Sequence, residues 1–342
     1  MRTPLTLVAL LIATTSSLAA DWNPELAARY LDGRQKEWFA WKPAMSADGP
    51  CVSCHTGMPY LLARPALRRK LKESEPTVYE RGLMDRLRAN VGAKPAGALQ
   101  SVESIFSAMF LSGEDAQQTM SAHTRKAFDQ LWTLQASDGA GQGAWRWYAA
   151  DLDPWENAQS PYYGASLAAV AVGHTSKEYR ETTAVHEHVR SLTSYLTSPS
   201  TPPRLHDRLA LLWASSALPT VLSDPARRAL TSEIFEKQQA DGGWTLESLG
   251  PWMPHPDALP VSGSNAYATA FAAFALHRAG VPPSHAGLAR ALTWLQSHQD
   301  EKTGAWPAVS MNKRRPEGSM ESLFMQDAAT AFAALALIEA GR

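Results

Sequence analysis

One pattern occurs three times in this sequence and limits the fold more than any other feature. Each copy reads Gly-x-Trp, then a loop, then a segment rich in alanine and other small apolar residues. The copies begin at Gly143, Gly242 and Gly304. Upstream of each copy, an amphipathic segment ends in glutamine, at Gln135, Gln239 and Gln299. Each copy predicts a helical hairpin, with an outer helix charged on one face and an inner helix apolar almost all round.

Weaker copies of the same hairpin fill the rest of the chain. They pair residues 25–38 with 54–67, residues 77–91 with 101–111, and residues 182–196 with 205–218. The total is six hairpins. Six inner and six outer helices predict an all-α fold, an (α/α)6 toroid whose inner helices surround a central cavity.

The repeats resemble those of squalene-hopene cyclases and the wider terpenoid cyclase and prenyltransferase toroids. The glutamine, the Gly-x-Trp and the segments TAFAAFAL (269–276) and TAFAALAL (330–337) carry this resemblance over most of residues 25–342. It implies a fold more strongly than an activity. In that family the glutamine and tryptophan join one hairpin to the next. The resemblance therefore implies structural roles for Trp38, Trp145, Trp244 and Trp306.

The acid motif of class II cyclases is missing from this sequence. Those enzymes place Asp-x-Asp-Asp just before the Thr-Ala-Phe segment to protonate an alkene. Here residues 326–329 read Gln-Asp-Ala-Ala and residues 265–268 read Asn-Ala-Tyr-Ala. The segment DLDPWE (151–156) is the nearest substitute, and we interpret it as a loop cap. The sequence also lacks the Cys, His and Asp set with which protein prenyltransferases hold zinc.

Residues 1–20 have the pattern of a secretory signal peptide: Arg2, an apolar run from Leu5 to Ala13, and small residues before Asp21. This run is shorter than the roughly 20 residues of a bilayer span. We expect cleavage near Ala19, no transmembrane anchor, and a periplasmic or secreted protein. The mature chain, residues 21–342, is then expected to be a single toroid in an oxidising compartment.

Net charge gives no support to a polyanionic partner. The chain has 32 Lys and Arg against 33 Asp and Glu. This balance argues against a nucleic acid or an anionic membrane as the partner. We interpret the one basic triplet, residues 313–315, as a solvated loop.

The two cysteines of the chain, Cys51 and Cys54, are followed directly by His55. Aligning residues 56–67 with residues 330–341 places Cys54 and His55 immediately before an inner helix, where the cyclases hold their acids. Cys-x-x-Cys-His resembles the attachment motif of c-type cytochromes. The resemblance implies one covalent haem c, with thioether bonds to Cys51 and Cys54 and with His55 as the proximal iron ligand. In a helical turn, the two thiols would share one face and His55 would lie beneath the iron.

Three other interpretations of the motif stay open. A disulfide between Cys51 and Cys54 would close a loop too small to stabilise the fold much. A thioredoxin-like dithiol normally follows a strand, whereas a helical hairpin is predicted here. Zinc would need further Cys or His ligands, and none is near in sequence.

Further residues are candidates for haem contacts. Arg64 and Arg68 follow the motif at helical spacing and could pair with propionates, although solvated arginine is the commoner outcome. His206 begins the fourth inner helix and is the candidate distal ligand, with Met253 and His255 in a long loop over the same rim. Met58 lies on the same helix as His55, so we expect a core position for it.

We predict a secreted c-type haem protein that transfers electrons or performs haem-dependent oxidation in an apolar toroid cavity. Its partner would be a redox protein or a small apolar substrate. Electron transfer is favoured because no acid–base pair accompanies the motif in sequence. The alternative is a non-haem cyclase-like or lyase-like enzyme using acids such as Glu103 and Asp153, or a protein that binds an apolar ligand. Met58, Phe271 and Phe332 are expected to line the cavity.

Overall fold

The computed structural model describes residues 21–46, 49–93, 98–116, 119–199 and 203–342. The predicted signal peptide lies outside these residues. Helix dominates the described chain. The helices are α1 (Pro24–Ala40), α2 (Gly57–Leu71), α3 (Val78–Asn90), α4 (Ala98–Asp115), α5 (Ala122–Thr133), α6 (Pro161–Gly173), α7 (Lys177–Glu181), α8 (Thr183–Thr197), α9 (Leu205–Ala217), α10 (Asp224–Glu236), α11 (Ala266–Arg278), α12 (Ala286–Ser297) and α13 (Phe324–Glu339).

Strand is confined, within the described ranges, to one small antiparallel pair. Strand β1 (Met45–Ser46) pairs with β2 (Gly49–Pro50), immediately before the cysteine motif. Short 3₁₀ turns lie at Lys42–Ala44, Gly139–Gly141, Pro219–Val221, Glu247–Leu249 and Glu321–Leu323.

The inner helices form a ring. They pack against one another in the order α4, α6, α9, α11, α13 and α2, so that the last hairpin lies beside the first. The predicted small-residue segments form the most buried of these helices: residues 162–172 of α6 and 266–276 of α11 are buried without interruption. Small side chains allow such close packing because they let helix backbones approach each other. The prediction of an all-α (α/α)6 toroid is confirmed.

Three of the outer helices each pack against two neighbouring inner helices. Helix α12 packs against α11 and α13, α3 against α2 and α4, and α1 against α2 and α13. Side-chain caps set the starts of two of them, α3 and α1. Thr77 and Glu80 form a reciprocal capping box on α3, and Asn23 accepts a hydrogen bond from the backbone N–H of Leu26 on α1. These caps fix where α3 and α1 begin.

The repeated tryptophans make the same contact in each clear copy. The indole N–H donates to a backbone carbonyl near the end of the preceding outer helix, at 2.7 Å in each case. The pairs are Trp145 with Leu131, Trp244 with Ile234, and Trp306 with Leu295. Trp38 differs, since its indole N–H donates to the carbonyl of Cys51 at 2.9 Å.

The repeated glutamines join consecutive hairpins. Each side-chain amide donates to the carbonyl of its own Gly-x-Trp glycine and to a backbone carbonyl in or just before an adjacent outer helix. The sets are Gln135 with Gly143 and His188, Gln238 with Gly242 and Gly287, and Gln299 with Gly304 and Asn23. In the second copy the joining residue is Gln238 and not the predicted Gln239, whose amide donates only to the nearby carbonyl of Lys237.

Aromatic side chains pack at the centre of the toroid. Phe271 and Phe332 lie with ring centroids 4.9 Å apart, and Tyr267 stacks on Phe271 at 5.9 Å. These residues and Met58 have no exposed surface. The prediction that Met58, Phe271 and Phe332 line an open apolar cavity is therefore wrong, because their own bulk fills the space between the inner helices.

One described segment, Glu321–Glu339, is long and apolar enough to cross a membrane by length and composition. It contains α13, an inner helix of the ring, and 67% of it is buried inside the toroid. Packing against α2 and α11 explains its apolar character, since a core helix meets neighbours on every side.

Candidate functional site

The cysteine motif lies between β2 and α2, at the end of the toroid where the inner helices begin. Cys51 to Ser53 have no regular secondary structure and Cys54 to Thr56 form a turn, so the motif precedes the helix and is not part of it. The hydroxyl of Ser53 accepts hydrogen bonds from the backbone N–H groups of Thr56 and Gly57. This cap starts α2 after the motif, which corrects the expectation that the two cysteines occupy a helical turn.

Aromatic rings hold the imidazole of His55 in place. Phe324 stacks on it with ring centroids 3.7 Å apart, and Trp38 meets it edge to face at 5.6 Å. Trp155 lies 6.1 Å away on a different segment. Burial, reinforced by the positive charge of Arg34, lowers the pKa of His55 to about 3. His55 is therefore a neutral imidazole throughout the physiological pH range.

A hydrogen-bonded chain runs from His55 to a buried carboxylate. Nδ1 of His55 lies 3.0 Å from the hydroxyl of Thr56, which donates to Oδ2 of Asp327 at 2.9 Å. Asp327 also accepts hydrogen bonds from Nε of Arg34 at 2.7 Å and from the hydroxyl of Tyr30 at 2.8 Å. Burial raises the pKa of Asp327, and Arg34 acts in the opposite direction. This chain lies behind the imidazole and sets its orientation.

Glu156 lies on the Nε2 side of the imidazole of His55, opposite the hydrogen bonds to Thr56 and Asp327. Its Oε1 lies 3.7 Å from Sγ of Cys54 and 4.0 Å from Nε2 of His55. The carboxylate is half-buried, and burial raises its pKa. Glu156 ends the DLDPWE segment that we interpreted as a loop cap. The sequence signal was an acid in the loop before an inner helix, but nothing in the sequence placed it beside Cys54.

Both thiols are free, so the structure contains no disulfide at the motif. Burial, with the nearby charge of Glu103, raises the pKa of Cys51 to about 11. Burial and Glu156 raise the pKa of Cys54 well above its ordinary value. Both are therefore protonated thiols, and little of the nucleophilic thiolate form is present. Among the described residues, no group of three or more His, Cys, Asp or Glu side chains could hold a metal ion.

A pocket of about 620 Å³ opens at the rim next to His55. We call it the rim pocket; its size lies in the range of roughly 300–1,000 Å³ typical of cofactor and ligand sites. Its walls are aromatic near the imidazole and charged towards solvent. The residues that line it include His55, Trp41, Trp155, Phe324, Leu152, Leu259, Asp153, Glu156, Lys313, Arg314, Arg315, Glu317 and Glu321. The basic triplet interpreted as a solvated loop thus borders a pocket.

Asp153 ties together the loops over the rim pocket. Its carboxylate accepts hydrogen bonds from Arg204 at 2.7 Å and from the backbone N–H of Met253 at 3.0 Å. Its own backbone N–H and carbonyl both bond the side-chain amide of Asn312. Asp153 is therefore buried and hydrogen-bonded to three different segments of the chain. The side chain of Met253 is 86% exposed and points away from the core.

His206 belongs to a separate buried network. Its Nδ1 lies 2.8 Å from Asp207 and its Nε2 lies 2.8 Å from the hydroxyl of Tyr267, which also accepts a hydrogen bond from Trp155. The side chain of His206 is fully buried, and neither ring nitrogen is open to a metal ion. The sequence-based assignment of His206 as a distal iron ligand therefore disagrees with the described geometry.

The two arginines predicted to pair with propionates have protein partners instead. Arg64 is buried and pairs with Asp32 at 2.9 Å and with Glu73 at 2.6 Å. Arg68 lies 3.5 Å from Glu80. Both project from the middle and the end of α2, away from its start at the motif. These ion pairs account for Arg64 and Arg68 as residues that fix α2 to its neighbours.

Comparison with known proteins adds information on the fold. No protein-family model matches this sequence, and no curated protein matches it. Among solved structures, a polysaccharide lyase is similar, with a TM-score of 0.55 and 13% sequence identity over 92% of this chain and 96% of that chain. This likeness supports the toroid part of the terpenoid cyclase resemblance. At this identity, it shows the fold alone.

Proposed function

We propose that this protein is a c-type haem protein with a redox function. Cys51 and Cys54 hold one haem by thioether bonds, and His55 ligates its iron at the rim pocket. The proposal rests mainly on one observation. Sγ of Cys54 and Nε2 of His55 both lie near the same carboxylate oxygen of Glu156, at 3.7 and 4.0 Å. The second thiol and the ligating nitrogen are thus on one side of the motif.

Other features of the site are consistent with a haem. Both thiols are free, and His55 lines a pocket with the aromatic side chains of Trp41, Trp155 and Phe324. A haem bound there supplies one-electron redox chemistry at its iron. The protein itself positions the imidazole between Phe324 and Trp38, and Glu156, whose pKa is raised by burial, lies beside it. These roles suit electron transfer or oxidation of a small substrate in the rim pocket.

The rim pocket, and not the centre of the toroid, is the proposed place of reaction. Its mouth is bordered by Lys313, Arg314 and Arg315. Cationic side chains at this position suit haem propionates better than Arg64 and Arg68, which are occupied by Asp32, Glu73 and Glu80. We therefore propose that the haem propionates contact the loop after the last Gly-x-Trp and not helix α2.

Covalent attachment is tested by producing the chain with a cytochrome c assembly system. We expect the denatured protein to retain its colour and to gain the mass of one haem over the signal-cleaved chain. Cys51→Ala should leave one thioether bond, and Cys51→Ala with Cys54→Ala should leave none. Ser53→Ala is the matched control, because it changes the motif between the thiols and keeps both of them. Extraction of all haem from the wild type into acidified organic solvent would contradict the proposal.

The second candidate is a lyase-like enzyme, favoured by the whole-chain likeness to a polysaccharide lyase. Proton abstraction beside a sugar carboxylate needs a base and a positive charge to neutralise that carboxylate. The rim pocket offers Glu156, whose pKa is raised, together with Arg314 and Arg315. Haem-free protein is assayed for unsaturated products from acidic polysaccharides. Activity that is lost in Glu156→Gln would favour this candidate, whereas haem-loaded protein without such activity would exclude it.

A further inference from the structure

The hydrogen-bond partners of Thr56 determine which nitrogen of His55 carries the proton. A hydroxyl has one hydrogen to donate, and an ionised carboxylate can only accept. The hydroxyl of Thr56 donates to Asp327 at 2.9 Å, so its oxygen must accept from Nδ1–H of His55 at 3.0 Å. An imidazole whose single ring proton is on Nδ1 has its free lone pair on Nε2.

Asp327 is held firmly as the last acceptor in this chain. Nε and Nη2 of Arg34 donate to its two oxygens at 2.7 and 3.2 Å, and the hydroxyl of Tyr30 donates at 2.8 Å. The amide of Gln326 donates to that same hydroxyl, so Tyr30 has its own hydrogen free for Asp327. With Thr56, four donors satisfy a carboxylate that is only 2% exposed. Its lone pairs therefore stay directed at Thr56.

Glu156 is the only described carboxylate near Nε2, and it does not compete for the proton. Its Oε1 is 4.0 Å from Nε2 of His55, which is longer than a hydrogen bond. The thiol of Cys54 lies closer to that oxygen, at 3.7 Å, and donates to it. The protonation of the imidazole is therefore set from behind the ring, by Thr56 and Asp327.

We propose that Asp327, acting through Thr56, is a positioning residue that keeps His55 protonated at Nδ1 and presents the Nε2 lone pair to the rim pocket. The tautomer follows from hydrogen-bond geometry alone, whereas its use as an iron ligand rests on the haem function proposed above. Ring closure makes this possible, because Thr56 precedes α2 and Asp327 lies in α13, 271 positions later.

The hydrogen bonds that link His55 to Thr56 and Asp327 would also change how strongly the Nε2 lone pair binds a metal ion. An imidazole whose second N–H is bonded towards a carboxylate is a more basic ligand than one bonded to nothing. A more basic axial ligand stabilises the oxidised iron and lowers the reduction potential. Asp327 and Thr56 are thus expected to hold the potential below the value that His55 alone would give.

Nitrogen NMR of the mature full-length chain, made without a haem assembly system, tests the tautomer directly. We expect Nδ1 of wild-type His55 to be protonated and Nε2 to be unprotonated. Thr56→Val removes the acceptor and should transfer the proton to Nε2, and Asp327→Asn should weaken the preference. Thr56→Ser should restore the wild-type spectrum. Tyr30→Phe is the matched control, because it removes a donor to Asp327 and leaves the link through Thr56 intact.

Redox titration of haem-loaded protein gives the second readout. Thr56→Val should raise the reduction potential, while Thr56→Ser and Tyr30→Phe should stay near the wild type. Wild-type His55 protonated at Nε2, or a Thr56→Val variant that matches Tyr30→Phe in both measurements, would overturn the inference. If the wild type binds no haem but shows the expected tautomer, the haem function fails and the positioning by Asp327 stands.

Discussion

The side chain of Gln299 joins the last hairpin of the toroid to the first through the backbone of Asn23. Its Oε1 accepts a hydrogen bond from the N–H of Asn23 at 2.6 Å, and its Nε2 donates to the carbonyl of Asn23 at 2.9 Å. The same Nε2 donates to the carbonyl of Gly304. Gln135 and Gln238 make equivalent contacts between consecutive hairpins. At Gln299 this contact closes the ring.

Replacing Gln299 with alanine should weaken this closure. The change removes three hydrogen bonds, and we expect the free energy of unfolding to fall by about 1–3 kcal/mol. Gln239→Ala is the control, since that exposed amide bonds only the nearby Lys237 carbonyl. It should stay within about 0.5 kcal/mol of the wild type. Urea denaturation of both variants measures the difference, and equal effects would contradict a special role for Gln299.

Much of the toroid could be predicted from sequence because the same pattern recurs, so that each copy supports the interpretation of the others. The small-residue segments at 269–276 and 330–337 could only be inner helices, since they have no polar face to expose. The repeat did not decide between Gln238 and Gln239. Both end the same outer segment, and only the backbone path shows which amide reaches Gly242. The central cavity was also mispredicted, because sequence does not show how far aromatic side chains such as Phe271 fill the ring.

Gly304 should tolerate no side chain. Its φ is +79°, and a Cβ there would lie 2.3 Å from a backbone carbon of Leu26 on α1. Gly318 has a similar φ of +73° but no heavy atom within 4 Å of the same position. Gly318→Ala should therefore cost about 1–2 kcal/mol for backbone strain alone. Gly304→Ala should cost clearly more, and thermal unfolding of the two variants separates strain from steric overlap.

Two arginines at the start of α9 allow a buried ion pair to be compared with an exposed one. Arg204 immediately precedes the helix, and Arg208 lies in its first turn. Arg204 is buried with Asp153 and Asp207, whereas Arg208 pairs with Glu233 at the surface. Arg204→Met leaves two buried carboxylates without their partner and should cost about 3–5 kcal/mol. Arg208→Met should cost no more than about 1 kcal/mol. Similar denaturation midpoints for both variants would show that Arg204 does not hold the loops over the rim pocket.

Sequence placed the motif correctly before an inner helix but missed the residues that surround it. Glu156 contacts Cys54 across 102 positions, and Asp327 contacts Thr56 across 271. Such pairings depend on ring closure and loop paths, which no local pattern encodes. The protein partners of Arg64 and His206 were missed for a related reason. Helical spacing placed the two residues on suitable helices, but it could not show that Asp32, Glu73, Asp207 and Tyr267 already engage them.

Thiol reactivity separates the remaining interpretations of the motif. With a pKa of about 11, Cys51 has only about 0.1% thiolate at pH 8, so alkylation of the native haem-free chain should be slow. Because the pKa is raised, the rate should increase as the pH rises towards that value. Cys54 is buried, and the Cys51→Ala chain should react more slowly still. In denaturant, two reactive thiols are expected in the haem-free protein and none in the haem-loaded protein. Two thiols that appear only after addition of a reductant would instead identify a disulfide.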